Sequence, residues 1–192
     1  MHSPIDIMTF PSHDRAGNRL FGIEIELEGR GFPTMAIGDI RGGKRHNVYW
    51  TVHEDNSLRN GIEFVLSGPT SFDGCVELVN KLYEEMEKET NCIVNNTSRT
   101  STHIHVNTAH MYLNNLVTFI ALWATFEEAL VKWCGPEREG NLFCLRMKDS
   151  YSVLDSMIEA ISRGTFRFEQ SNRYAALNVA AIPKLQIVTG KL

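Results

Sequence analysis

Positive charge is in short supply in this sequence: 19 Lys and Arg stand against 23 Asp and Glu over 192 residues, a formal net charge of −4. Non-specific nucleic-acid binding draws on a cationic face, so this balance excludes a strongly basic nucleic-acid binder. Long apolar runs are missing too. The longest, near Leu116 to Trp123, is far below the roughly 20 residues that cross a bilayer, and no charged-then-apolar leader opens the sequence. A cytoplasmic protein with no membrane partner is expected. The 4 cysteines, Cys75, Cys92, Cys134 and Cys144, show no C-x-x-C spacing and sit in or beside apolar stretches, which favours buried thiols over a disulfide or zinc framework. No repeat or low-complexity tract interrupts the chain. What remains, 43% hydrophobic and 22% charged residues, is the composition of a globular protein, and the length suits one domain over residues 1–192.

The hydrophobic period switches between two and 3.6 along the chain, and the switches mark the elements. From Leu20 to Glu28, Phe21, Ile23, Ile25 and Leu27 alternate with Gly22, Glu24, Glu26 and Glu28, so a strand with one apolar and one acidic face is predicted, the acidic face open. Strands are also predicted at Val48 to Val52, Gly61 to Ser67 and Thr102 to Asn107, with closing strands at Thr165 to Glu169 and Tyr174 to Ile182. Helices are predicted from Ser71 or Asp73 to about Thr90, with Val76, Val79, Leu82, Tyr83 and Met86 inward, and from about Met111 to Cys134, stopped by Gly135-Pro136. In the second of these, Phe119, Trp123, Phe126 and Leu130 form the expected core stripe. A third helix is predicted from Asp149 to Arg163, with Leu154, Ile158 and Ile161 inward. Strands that keep one face polar suit an antiparallel sheet with helices on one side, an α+β fold.

Glu24 and Glu26 are two residues apart and so share a strand face, with Cα atoms roughly 6.5 to 7 Å apart. In Gly61-Ile62-Glu63-Phe64-Val65, Glu63 points away from Ile62 and Phe64, and in Thr102-His103-Ile104-His105-Val106-Asn107 the polar His103, His105 and Asn107 share one face. Three strands thus offer ligand-type side chains. Mixed carboxylate and imidazole donors accept Mg²⁺, Mn²⁺ or Zn²⁺, and a carboxylate majority favours the harder ions, magnesium first.

These motifs, in order, carry a resemblance. Phe21-Gly22-Ile23-Glu24-Ile25-Glu26, then Glu54-Asp55-Asn56-Ser57-Leu58 leading into Gly61 to Pro69, then Thr102 to Asn107, then Asn172-Arg173-Tyr174-Ala175-Ala176-Leu177-Asn178 resemble the putative amidoligases, carboxylate-amine ligases of the glutamine synthetase and glutamate-cysteine ligase superfamily. The resemblance implies a curved, mainly antiparallel sheet holding Mg²⁺ ions and ATP. It implies an amide or peptide bond made through an acyl phosphate, with an amino-acid, peptide or protein carboxylate and an amine donor as partners. By position in the motifs, Glu24, Glu26, Glu63 and His103 would bind metal, His105 and Asn178 would line the nucleotide or substrate pocket, and Asp55 and Ser57 would shape the turn before the Glu63 strand. Arg173 would grip a phosphate or carboxylate, although strand alternation faces it away from Tyr174 and Asn178. An acyl phosphate hydrolyses readily, so a loop that excludes water is expected, and Gly38 to Lys44 is either that lid or a surface loop.

The sequence departs from the family pattern in two places. Thr102 stands where the family usually has Gly, and Lys184 to Leu192 contains neither the Glu nor the Arg that a last family strand would bring. Arg167 and Glu169, or a partner subunit, are the candidate substitutes. Two rival readings follow: a non-catalytic binding or assembly module on the same fold, and a metal-dependent hydrolase centred on His103 and His105. A P-loop reading of Gly38 to Lys44 fails, because Arg45 follows where Ser or Thr is needed and the next residues have strand character.

Overall fold

A computed structural model describes residues 20–33, 40–41, 44–46, 49–108, 111–141, 144–149, 155, 158–159, 162, 175–179 and 187–191. The chain falls into two compact units, one of them Leu20–Ile104 and the other containing His105–Leu192.

In the first unit the strands are β1 (Phe21–Arg30), β2 (Ile40–Arg41), β3 (Lys44–His46), β4 (Trp50–His53), β5 (Gly61–Leu66), β6 (Ile93–Asn95) and the start of β7 (Ser101–Asn107), with helix α1 (Phe72–Lys88) between β5 and β6. The strand order is β2-β3-β4-β5-β1-β7, and β6 pairs with the end of β1. The registered pairs of β1 with β5 and β6, and of β2 through β5, are antiparallel. Strand alternation sends Trp50, Val52, Phe64, Leu66 and Ile25 to one face, where Cys75, Leu82 and Met86 of α1 cover them. Ser71 starts α1 by accepting the Gly74 N–H at 3.2 Å, a side-chain cap that satisfies one of the helix's orphan donors. The buried stripe of α1 runs through Cys75, Leu82 and Met86, with Leu78 and Val79 partly buried. Val76 and Tyr83, expected inward, are 44% and 54% exposed. The Cys75, Leu78 and Val79, Leu82, Met86 spacing is itself a complete helical stripe, and the sheet takes that one.

In the second unit, α2 (Leu113–Trp133) packs Leu116 and Ile120 against Met147, Ala175, Leu177 and Val179, with Phe119 and Trp123 at the margin. Gly135, at φ 98°, turns the chain out of α2 ahead of Pro136, as the sequence predicts. Phe126 departs from the expected core stripe and is exposed, as is Ile158, whose helical neighbours Asp155, Glu159 and Ser162 are exposed too. Further along α2 the buried apolar residue is Val131, with Leu130 partly buried, so the buried face there lies off the Phe126 position.

Of the closing strand predicted at Tyr174 to Ile182, Leu177–Asn178 is strand, and a further strand that was not predicted follows at Ile187–Lys191. β8 (Leu177–Asn178) pairs antiparallel with β9 (Ile187–Lys191), and the predicted strand at Thr165 to Glu169 lies outside the described residues. Ile40–Arg41 and Lys44–His46 form a short antiparallel ladder, so the described part of the expected lid is sheet. None of the four cysteines forms a disulfide. No described helix is long and apolar enough to cross a membrane.

Candidate functional site

The face of the first unit opposite α1 carries the acids. β1 and β5 register Glu26 directly opposite Glu63, and β5 and β4 register Glu63 opposite His53, so His53, Glu63 and Glu26 lie in one row across three strands. Like charges directly opposite each other in an antiparallel ladder are destabilising, so this pair weakens the sheet unless something else compensates it. Asp55, in the connection between β4 and β5, brings a third carboxylate: one ligand oxygen from each of Glu26, Asp55 and Glu63 lies within 4.8 Å of the others.

The Asp55 carboxylate is oriented by its own turn. Its Oδ1 accepts the Ser57 N–H at 2.7 Å, and its carbonyl accepts the Leu58 N–H at 3.1 Å. Leu58 buries its side chain, which anchors the turn. Gly61 then starts β5 where a Cβ would sit 2.2 Å from the Leu27 carbonyl oxygen, so only glycine lets β5 approach β1 closely enough to pair Glu63 with Glu26.

On the other side of β1 stands β7. His103 Nδ1 lies 3.0 Å from Glu24 Oε2, and His103 Nε2 lies 2.9 Å from Ser101 Oγ. Ser101 in turn donates its hydroxyl proton to Glu26 Oε2. His103 is therefore held between the Ser101 hydroxyl oxygen at Nε2 and the Glu24 carboxylate at Nδ1. Both ring nitrogens are thus occupied by partners, and a cation reaches His103 only if the ring lets go of one of them.

Glu26 and Glu28 are 8% and 6% exposed, so the acidic face is not open at these two positions. Their burial is compensated locally: Glu26 by Ser101, and Glu28 by the Arg59 N–H at 2.7 Å on Oε1. The Arg59 N–H, with help from the Thr97 side chain and the Arg99 and Arg59 charges, holds the Glu28 carboxyl below its ordinary range against the opposing effect of burial.

In the second unit, His105 Nδ1 lies 2.8 Å from Thr189 Oγ1, and Asn178 of β8 is registered opposite Thr189 of β9. Arg173, Arg167 and Glu169 lie outside the described residues.

The structure therefore brings Glu24, Glu26, Glu63, His103, Asp55 and Ser57 into one unit and His105 and Asn178 into the other. Asp55 enters as a candidate ligand as well as a turn residue. His53, Ser101 and Thr189 were not singled out in the sequence. For His53 and Ser101 a signal exists: each continues a polar alternation by one residue, Thr51 to His53 in β4 and Ser101 to His103 in β7. No comparable pattern marks Thr189.

Three oxygen donors with no thiolate form a donor set for a hard divalent cation, Mg²⁺ or Mn²⁺ ahead of Zn²⁺. The Ser101, His103 and Glu24 arrangement has the outline of a hydrolytic triad, but the Ser101 proton goes to Glu26 and not to the imidazole, which leaves no activated nucleophile.

A family model described as "Putative amidoligase enzyme" matches residues 17–176. No curated protein and no solved structure matches the chain.

Proposed function

Since the chain belongs to this putative amidoligase family over most of its length, we propose that it is an ATP- and Mg²⁺-dependent carboxylate-amine ligase that makes an amide or peptide bond through an acyl phosphate. The observation that carries the reading is the carboxylate cluster. Glu26 and Glu63 face each other across a ladder, Asp55 joins them within 4.8 Å, and such a self-repelling arrangement calls for a cation.

Glu26, Asp55 and Glu63 would hold the divalent cation, with Glu24 and His103 beside them. When bound, it supplies the charge neutralisation that lets a substrate carboxylate and the γ-phosphoryl group approach each other. Glu24 and Ser101 fix the His103 ring from both sides, so its orientation is set before substrate arrives. His105, with Thr189, and Asn178 supply polar groups for the nucleotide or the acceptor, and Ser57 orients Asp55. The Arg173 role rests on the family motif alone. The partners are an amino-acid, peptide or protein carboxylate and an amine.

The test is ADP release from ATP and Mg²⁺ with panels of carboxylates and amines, alongside thermal unfolding with Mg²⁺, Zn²⁺ and a non-hydrolysable ATP analogue. Release that requires both a carboxylate and an amine supports the ligase. Stabilisation by Mg²⁺ and nucleotide with no turnover on any pair makes the chain a binding module, and stabilisation by Zn²⁺ alone makes it a histidine-centred metalloenzyme.

A further inference from the structure

Asp55 is the one member of the carboxylate cluster that no strand positions. Glu26 and Glu63 are held by the β1 and β5 ladder, whereas Asp55 sits in the seven-residue connection from β4 to β5. A loop carboxylate left to itself samples many positions, and a cation site that depends on it pays for that freedom when it binds.

Two side chains from other elements of the first unit end on this connection. Glu28, at the far end of the acid row on β1, accepts the Arg59 N–H at 2.7 Å. Arg99 reaches from the loop between β6 and β7 and donates its Nη1–H to the Ser57 carbonyl oxygen at 2.5 Å. The two anchors grip the peptide groups on either side of Leu58, whose buried side chain makes a third attachment.

The mount that carries Arg99 is itself stiff. The Arg99 N–H donates to Thr97 Oγ1 at 3.1 Å, the Thr97 N–H donates to Thr100 Oγ1 at 3.2 Å, and the Thr100 hydroxyl donates to the Thr97 carbonyl at 2.9 Å. Thr100 is buried. Glu28 stays almost wholly out of solvent, a costly place for a carboxylate, and the backbone N–H that offsets that cost comes from Arg59 of the Asp55 connection, with the Thr97 side chain assisting.

We propose that Glu28 and Arg99 are positioning residues that clamp the β4 to β5 connection, hold the Asp55 carboxylate beside Glu26 and Glu63, and so set the affinity of the site for a divalent cation. The proposal rests on the metal-binding reading of that cluster. Neither residue supplies a ligand atom to it. Outer groups that orient metal ligands typically carry about 10- to 100-fold in metal affinity, and that is the size of effect expected here.

The test uses the full chain and Mn²⁺ as the probe, with free Mn²⁺ followed by its paramagnetic resonance signal and amide hydrogen exchange read at Ser57 and Arg59 without metal. Arg99→Ala should bind Mn²⁺ about 10- to 100-fold more weakly than the parent, and its Ser57 amide should exchange faster. Arg99→Lys, which restores a donor to the Ser57 carbonyl, should recover part of the affinity. A lower melting temperature with unchanged Mn²⁺ affinity in the folded protein would mean an ordinary structural contact and would overturn the proposal. If Arg99→Ala does not fold, Glu28→Gln decides in its place: weaker Mn²⁺ binding and faster Arg59 exchange support the clamp, and parental affinity overturns it. A parent chain that binds no Mn²⁺ sinks the metal-binding reading and the clamp with it. A parent that binds while both variants bind equally well sinks the clamp alone.

Discussion

Replacing Glu63 by Gln sets two effects of the carboxylate cluster against each other, and their magnitudes predict a crossing. Two unit charges 4.8 Å apart, the outer limit for the three oxygens, repel by about 0.9 kcal/mol in water and about 3.5 kcal/mol at an effective dielectric of about 20. Glu63 takes part in two of the three pairs. Asp55 and Glu63 are partly exposed and Glu26 is buried, so the water figure is the floor, and at that floor neutralising Glu63 relieves about 2 kcal/mol. Glutamine keeps an acceptor oxygen, and exchanging a charged acceptor for a neutral one costs about 1 kcal/mol. Relief wins. In EDTA, Glu63→Gln should be about 1 kcal/mol more stable than the parent, a rise of roughly 2–4 °C. A cation at 100 times its dissociation constant stabilises a native state by about 2.7 kcal/mol, and the variant should lose most of this. The assay is thermal unfolding of both proteins in EDTA and in Mg²⁺: the variant melts higher without metal, the parent with it. A variant less stable than the parent in EDTA, or one stabilised equally by Mg²⁺, would show that the three carboxylates do not form a cation site.

Other sites make separate predictions. Glu127 is buried on α2, where its carboxylate accepts the Trp123 Nε1–H at 3.0 Å and the Met147 N–H at 2.8 Å, and burial pushes its pKa up. A carboxyl raised on folding holds its proton longer in the native state, so its contribution is greatest below the unfolded value near 4.5, falls as pH rises through the folded pKa, and is flat above. Glu127→Gln should remove that slope from urea-denaturation free energies measured across the acid range, and an identical slope in both proteins would refute the assignment. Phe64→Ala, which empties a fully buried position beside Trp50 and Phe32, should cost about 3–5 kcal/mol by chemical denaturation. A cost below about 1 kcal/mol would mean that the sheet does not pack there as described. Ser71→Ala removes the α1 cap and should cost about 1 kcal/mol, while Ser71→Asp should cost little.

Much of the site was legible because strand alternation is a local property. Once Leu20 to Glu28 reads as a strand, Glu24 and Glu26 must share a face, and the same argument groups His103 with its even-spaced neighbours. The helix limits of α2 were equally local, set by Gly135 and Pro136. The inward face of a helix is less so. Val76 and Tyr83 belong to one plausible stripe of α1 and Cys75, Leu82 and Met86 to another, and the choice is made by the sheet it meets. Phe126 likewise continues a perfect stripe on α2, yet it is exposed while Val131, off that stripe, is buried.

Which side chains meet across strands depends on register and on the route of the connections, and neither is encoded in a period. By itself the sequence determined an α+β chain with acids and histidines on polar strand faces, since those patterns follow from the geometry of one strand. Only the tertiary structure set Glu26 opposite Glu63, brought Asp55 to them over a turn gripped by Glu28 and Arg99, and tied Ser101 to both His103 and Glu26. These contacts join residues up to 75 positions apart, and a contact at that separation exists only after the intervening chain has folded.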